Sequence, residues 1–260
     1  VGAAKGNVAG EDARALGGVR ERELLGSMRA PGVAHGGVVR LEPGARHTRW
    51  LASEHEDHAL VVYRQGRDRS YSERATMALL AQAAGNRFFH ELRTEREIGY
   101  IVFATLLPVL EVPGLALVIQ SPSTPPEALH RHVDAFIRRF ADALRDLSPA
   151  VFERHRAAVE SSLLEAETRL EDRTERYWGA IDREHYAFDR RERLLEALRA
   201  VTRAELATAW RDLFVAPETA RGVAVAVSAG APPASGPVFR GAEPVVDVEA
   251  FKRGQRHFEE

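Results

Sequence analysis

The 260-residue chain has no cysteine, and only two of its 36 basic residues, Lys5 and Lys252, are lysines. Without thiols it can form neither disulfides nor thiolate metal sites, which leaves reducing and oxidising compartments both open to it. It has no apolar run long enough to span a bilayer and no basic-then-apolar start of a signal peptide, so no membrane partner is expected. Charge of one sign is also missing, since 38 acidic residues offset the basic ones for a formal net charge of −2. The arginines are interleaved with acids throughout, which reads as a coding bias and argues against nucleic acid as a partner. The chain starts at Val1 without an initiating Met and is expected to begin inside a longer one.

A chain of this length can bury a sizeable core. Residues 13–25 carry an amphipathic pattern through Ala13, Leu16, Val19 and Leu24, and Pro31-Gly32 then reads as a breaker and linker. Strand signals follow at Val38-Val39-Arg40-Leu41, at Thr48 to Ala52 and at Ala59 to Tyr63, with Gly44 and the polar run Glu54-His55-Glu56-Asp57 as turns. Two more apolar runs, Tyr100 to Leu107 and Leu115 to Gln120, join around Pro113-Gly114 as antiparallel neighbours. The next stretch is helical. Thr124-Pro125-Pro126-Glu127 has capping-box spacing ahead of a face made of Leu129, Val133, Phe136, Ile137, Phe140 and Leu144. Ser148-Pro149 opens a helix carrying Phe152, Val159, Leu163, Ala166 and Leu170, and Asp189 and Thr202 start two more, the last closing on Trp210, Leu213 and Phe214. A final strand spans Gly222 to Val227. Strands and helices segregate, so the expected class is α+β, a largely antiparallel sheet with helices packed on one face.

One stretch sits at the centre of this pattern, Phe88-Phe89-His90-Glu91-Leu92-Arg93-Thr94-Glu95-Arg96-Glu97-Ile98-Gly99-Tyr100-Ile101-Val102. A helix reaches it from Ser70-Tyr71-Ser72-Glu73, whose spacing lets side chain and backbone cap each other. Met77, Leu80, Ala81, Ala84, Phe88 and Leu92 form its buried face. Gly99 is expected to stop the helix before the strand at Tyr100, so that Arg93 and Tyr100 flank one corner.

Leu92 to Phe103, followed by Ile119-Gln120-Ser121, Tyr177-Trp178-Gly179 and Phe188-Asp189, resembles the C-terminal domain of insulin-degrading enzyme and pitrilysin-like zinc metallopeptidases, the inverzincins. The resemblance covers residues 37–230. Residues 1–36 resemble the end of the preceding domain plus a linker, and 231–260 a linker and carboxyl-terminal tail. It implies a mitochondrial-processing-peptidase-like fold in a large peptidase of two halves that close around a peptide. The zinc, with its His-x-x-Glu-His helix, would lie in the N-terminal half, outside this chain, making that half and peptide substrates the partners. Arg93 and Tyr100 match by position the Arg and Tyr that reach the peptide in the family. An Arg fork and a phenol can donate to backbone carbonyls and to an oxygen gaining charge as water attacks. The implied role is to enclose and position substrate, with the fragment inactive alone. A scaffold subunit of peptidase descent and a maturase trimming one specific precursor peptide are the alternatives. The implied source is bacterial, with the periplasm and the cytoplasm both open.

The residues bear on the metal directly. The motif needs two His one helical turn apart with a Glu beside the second. Glu184-His185 has Ile181 where the first ligand would stand, and His90 is followed by Arg93 and Thr94 in place of Glu and His. His55 and His58 fall in a polar turn, while His130 and His132 are two apart on a helix and diverge. Neither a catalytic residue nor a metal ligand is therefore assigned to this chain. Equilibrium dialysis of the purified chain against zinc is expected to show no stoichiometric binding; one equivalent held at a His/Glu site would overturn this.

Overall fold

The structure, a computed structural model, describes residues 9–24, 36–183, 185–229, 239 and 241–258. Pro31-Gly32, Glu184 and all of residues 231–238 lie outside them. The elements run α1 (Gly10–Leu24), β1 (Arg46–Ser53), β2 (His58–Gln65), α2 (Tyr71–Phe89) and a π-helical turn (His90–Glu95), then β3 (Ile101–Leu106) and β4 (Gly114–Ser121). Helices α3 (Pro126–Arg145), α4 (Pro149–Leu164), α5 (Leu170–Asp182), α6 (Arg190–Ala200) and α7 (Arg203–Trp210) follow, α7 running into a second π-helical turn (Arg211–Val215). The chain then forms β5 (Gly222–Ala229), β6 (Glu243–Pro244) and α8 (Val248–Gly254). Contacts divide it into two units, Val1–Gly36 with Leu163–Arg193, and Gly37–Ser162 with Leu194–Glu260.

The larger unit holds one sheet in the order β3-β4-β2-β5-β1-β6. The pairs β3/β4, β4/β2 and β2/β5 are antiparallel, whereas β5/β1 and β1/β6 are parallel, so the α+β, largely antiparallel expectation is met. Alternation along β2 decides which face is covered. Leu60 and Val62 are buried beneath the helices; Ala59, Val61 and Tyr63, pointing the other way, are half-buried. Helices α2 and α3 pack on the first face through Leu79, Leu80, Leu129, Val133 and Phe136. On the second, Phe103, Val118, Val61 and Val225 form one register row across four strands.

Aromatic side chains lock the helical layer. Phe88 meets Phe136 edge-on at 4.9 Å, Phe140 meets Trp210 at 4.6 Å, and Trp210 stacks on Phe214 at 4.2 Å. Such pairs add about 0.5–1.5 kcal/mol each beyond the area they bury. The fully buried Trp210 donates Nε1–H to the Ile137 carbonyl at 3.0 Å, so its one polar atom is satisfied.

Several local expectations are corrected. Residues 38–41 form no sheet strand; Val39 makes only an isolated bridge with His257, because the carboxyl-terminal segment docks there through Arg40 N–H to the Arg256 carbonyl and Phe258 N–H to the Val38 carbonyl. No capping box forms before α3, since its N-cap is Pro125, which has no side-chain acceptor, while Thr124 N–H turns to Ser121 Oγ at 3.1 Å. The box at Thr202 and Glu205 is complete. Helix α4 ends at Leu164, so Ala166 lies beyond it and Leu170 opens α5.

In the smaller unit α1 forms, with Leu16 and Val19 exposed. Helix α5 buries no residue, but Tyr177 meets Phe188 edge-on at 5.4 Å, and the Glu167 carboxylate accepts from Arg176 at 2.6 Å and Arg191 at 3.2 Å. Trp178 is exposed. No helix among the described residues is long and apolar enough to cross a membrane.

Gly99 joins the helical layer to the sheet, and a Cβ there would lie 2.4 Å from the Gln120 carbonyl oxygen. Gly99→Ala must therefore push β3 off β4. We expect a loss of about 1–3 kcal/mol, read as a lower urea midpoint at unchanged slope.

Candidate functional site at the end of helix α2

Helix α2 starts as its sequence requires, though only half of the expected box forms. Ser70 Oγ accepts from Glu73 N–H at 3.1 Å, but the buried Glu73 carboxylate takes Arg67 instead of Ser70, accepting from its backbone N–H at 2.9 Å and its guanidinium at 2.7 and 3.0 Å. The apolar face then runs through Met77, Leu80, Ala84 and Phe88, all buried, as far as Leu92, which is fully buried.

Between Phe88 and Leu92 the helix widens into the π-helical turn, and Arg96 N–H reaches back five residues to the Glu91 carbonyl at 3.1 Å. Ile98 N–H then bonds the Leu92 carbonyl at 3.0 Å. Wide turns of this kind interrupt regular helices often at functional sites. Leu92 keeps its place in the core while Arg93, Thr94 and Glu95 are exposed. Glu91 is held by ion pairs to Arg139 and, at 3.5 Å, Arg96; His90 Nδ1 is 3.2 Å from Glu95. The Arg93 side chain makes no hydrogen bond or ion pair among the described residues.

Gly99 is not the residue that ends the helix. Glu97 reverses the chain with φ of 51°, and Gly99 serves the close approach to β4. Tyr100 N–H then bonds the Gln120 carbonyl at 3.0 Å, extending the β3/β4 ladder by one residue. The Tyr100 side chain is 46% exposed, and its hydroxyl donates to Asp57 Oδ2. Gln120 Nε2 donates to the same oxygen at 2.9 Å, while Asp57 N–H donates to His55 Nδ1 at 3.2 Å. The Tyr100 donation, joined by Gln120 and by the nearby His55 and His58, holds the Asp57 carboxyl below the usual carboxylate range. The same bond pushes the Tyr100 phenol above its ordinary value.

Arg93 and Tyr100 thus stand exposed at the two ends of one turn, as the sequence places them. Asp57 was not anticipated; the only signal was its place in the run Glu54 to Asp57, which reads equally well as a plain turn. Gln120 is not at a sheet edge, because β4 pairs on both sides, and Ser121 Oγ caps the turn that follows. Cavities of about 280, 400 and 380 Å³ lie around the N-terminal half of α2 and along α7, and neither Arg93 nor Tyr100 lines them. The corner is open surface.

His58 and His130 have local partners. His58 Nδ1 pairs with Ser228 Oγ at 2.7 Å, and His130 lies 3.3 Å from Asp134 and against the Phe239 ring, its pKa lowered chiefly by burial. Among the described residues no three His, Asp or Glu side chains converge on a point where a metal could sit, so this donor set does not fit a zinc ion.

Residues 79–178 match the family described as PQQ synthase PqqF-like, C-terminal lobe domain 4. Insulin-degrading enzyme of Homo sapiens is 28% identical over 160 residues, which are 62% of this chain and 16% of that protein. Protease 3 of Escherichia coli strain K12 is 28% identical over 148 residues, 57% of this chain and 15% of that protein. The chain accordingly spans about a sixth of the length of these relatives. The crystal structure of pitrilysin superposes on 98% of the chain and 27% of its own, at 22% identity and a TM-score of 0.83. This chain is therefore a homologue of insulin-degrading enzyme and protease 3 over about three fifths of its length, and it has the fold of the matching part of pitrilysin.

Proposed function

We propose that the chain is a non-catalytic C-terminal part of a zinc-dependent endopeptidase, in which Arg93 and Tyr100 bind the backbone of a peptide that another part of the enzyme cuts. The carrying observation is the corner itself. Arg93 is exposed with its guanidinium uncommitted among the described residues, and Tyr100 is half exposed where β3 begins, next to the exposed apolar side chains of Ile101 and Phe103. A guanidinium presents five donors in a rigid fork, suited to carbonyl groups that every peptide offers whatever its sequence.

No catalytic step is assigned to this chain. The zinc and its base belong, on this reading, to an N-terminal half that faces the corner, and the open corner becomes a site only when that half closes over it. The coverage of the relatives supports this, since the match takes up 16% of insulin-degrading enzyme and the matched family is a C-terminal lobe. Residues 37–230 would be the peptidase-like domain, 1–36 the end of the domain before it and 231–260 its tail.

Hydrolysis of a quenched fluorescent peptide by the chain alone, and after addition of the N-terminal half, tests the division of labour. Activity is expected only in the mixture and is lost with a chelator; activity of the chain alone would refute it, and silence from halves shown to associate would favour a scaffold. In the full-length peptidase, Arg93→Ala is expected to lower kcat/KM about ten- to a hundredfold and Tyr100→Phe about three- to tenfold, the usual range for hydrogen bonds with and without a charged partner. Unchanged turnover in both, with folding intact by circular dichroism, would remove the corner from the site.

A further inference from the structure

We infer that the carboxyl-terminal segment is a pH-sensitive latch, seated on β1 and α3 while His47 and His130 are neutral and released when they take up protons.

The segment docks on the larger unit at three places. Phe239, which is buried, lies against the His130 ring of α3 with centroids 4.3 Å apart. Next, β6 pairs with His47 and Thr48 of β1, Val245 N–H bonds the Thr48 carbonyl at 2.7 Å, and Phe251 of α8 meets the His47 ring edge-on at 4.7 Å. Arg49 adds a bond to the Val246 carbonyl at 3.3 Å. At the far end Phe258 N–H bonds the Val38 carbonyl at 2.9 Å, and the Phe258 ring lies 5.6 and 5.7 Å from the Arg40 and Arg69 guanidinium carbons. Two of these three aromatic anchors therefore rest on an imidazole.

Both imidazoles sit where a proton is unwelcome. His47 is buried, and its Nε2 has no hydrogen-bond partner among the described residues. A proton there would bury a charge and a donor with nothing to accept from it. Of the groups facing His47, only Glu243 of β6, 3.7 Å from Nδ1, is charged, and its side chain is exposed to water; α8 presents Phe251, and β5 sets Val223 opposite. His130 has Asp134 of its own helix at 3.3 Å and the buried Arg64 of β2 nearby. Burial lowers the pKa of both histidines and outweighs each charge: Glu243 and Asp134 pull upward, and Arg64 pushes His130 further down.

The sign follows from what release does. It returns both rings to water, where a histidine titrates near about 6.5. Above that pH neither state binds the protons and the segment keeps its full hold. As pH falls below it, the released state takes up more protons than the seated one, and seating weakens by up to about tenfold per pH unit for each histidine. Release uncovers the edge of β1 at His47 and Thr48 and frees the Val38 carbonyl and the Arg40 N–H, so acid turns a covered backbone into one that can pair again.

Amide hydrogen exchange of the chain itself, followed by nuclear magnetic resonance and expressed as protection factors, tests the latch. Between about pH 7.5 and about pH 5.5 the Val245 and Phe258 amides are expected to lose about ten- to a hundredfold of their protection, while the amides of β4 keep theirs. In the double variant His47→Phe, His130→Gln the two amides are expected to stay protected at the lower pH. Unchanged protection in the unaltered chain would overturn the latch, as would a loss shared with β4, which is global unfolding. A loss that persists in the double variant would show that other groups release the segment. Should the double variant fail to seat the segment at neutral pH, proton titration of the two imidazoles in the unaltered chain decides. Midpoints below the ordinary histidine value are expected, and ordinary midpoints at both would overturn the inference.

Discussion

The burial of Leu92 is the constraint on which the corner depends. It extends the apolar face of α2 past Phe88, beside the cluster of Phe136, Phe140 and Trp210. Keeping it in the core is accompanied by the wide turn of His90–Glu95, which leaves Arg93 in solvent and sends Glu97 into a left-handed reversal. Exposing Leu92 would give up about 1.5–3 kcal/mol of transfer free energy. The exposed arginine is thus held in place by a buried leucine one residue away.

The sheet supplies the other half of the geometry. Ile101 and Ala59 both lie opposite Gln120, on either side of β4. That register brings the turn before β2 beside the start of β3, so Asp57 and Tyr100 meet although 43 residues separate them. Gly99 permits the approach, having no Cβ to strike the Gln120 carbonyl. Helix end, sheet register and turn therefore converge on one place, where Tyr100 and Asp57 form a hydrogen-bonded pair.

Apolar repeats were the readable part of this chain. The faces of α2 and α3 are buried as their spacing demands, with only Ala81 of α2 half-buried, because a repeat of three and four has no other way to leave water. Short capping patterns were less dependable. Thr202-x-x-Glu205 closes a full box, Ser70-x-x-Glu73 loses its glutamate to Arg67, and Thr124-x-x-Glu127 yields to Pro125. Residues 38–41 are apolar enough for a strand, yet their only β-bridge is to the carboxyl-terminal segment, a partner more than 200 residues away that no local pattern announces, while the Gln65 side chain bonds Val39 and Leu41.

From the sequence alone come the α+β class, the helix-to-strand junction at 88–102 and the candidacy of Arg93 and Tyr100, since all of these are local in the chain and follow from periodicity, turn chemistry and a motif resemblance. Tertiary structure decided the rest. Strand order and register, set by which faces could be buried together, placed the Asp57 carboxylate where both the Tyr100 hydroxyl and the Gln120 amide donate to it.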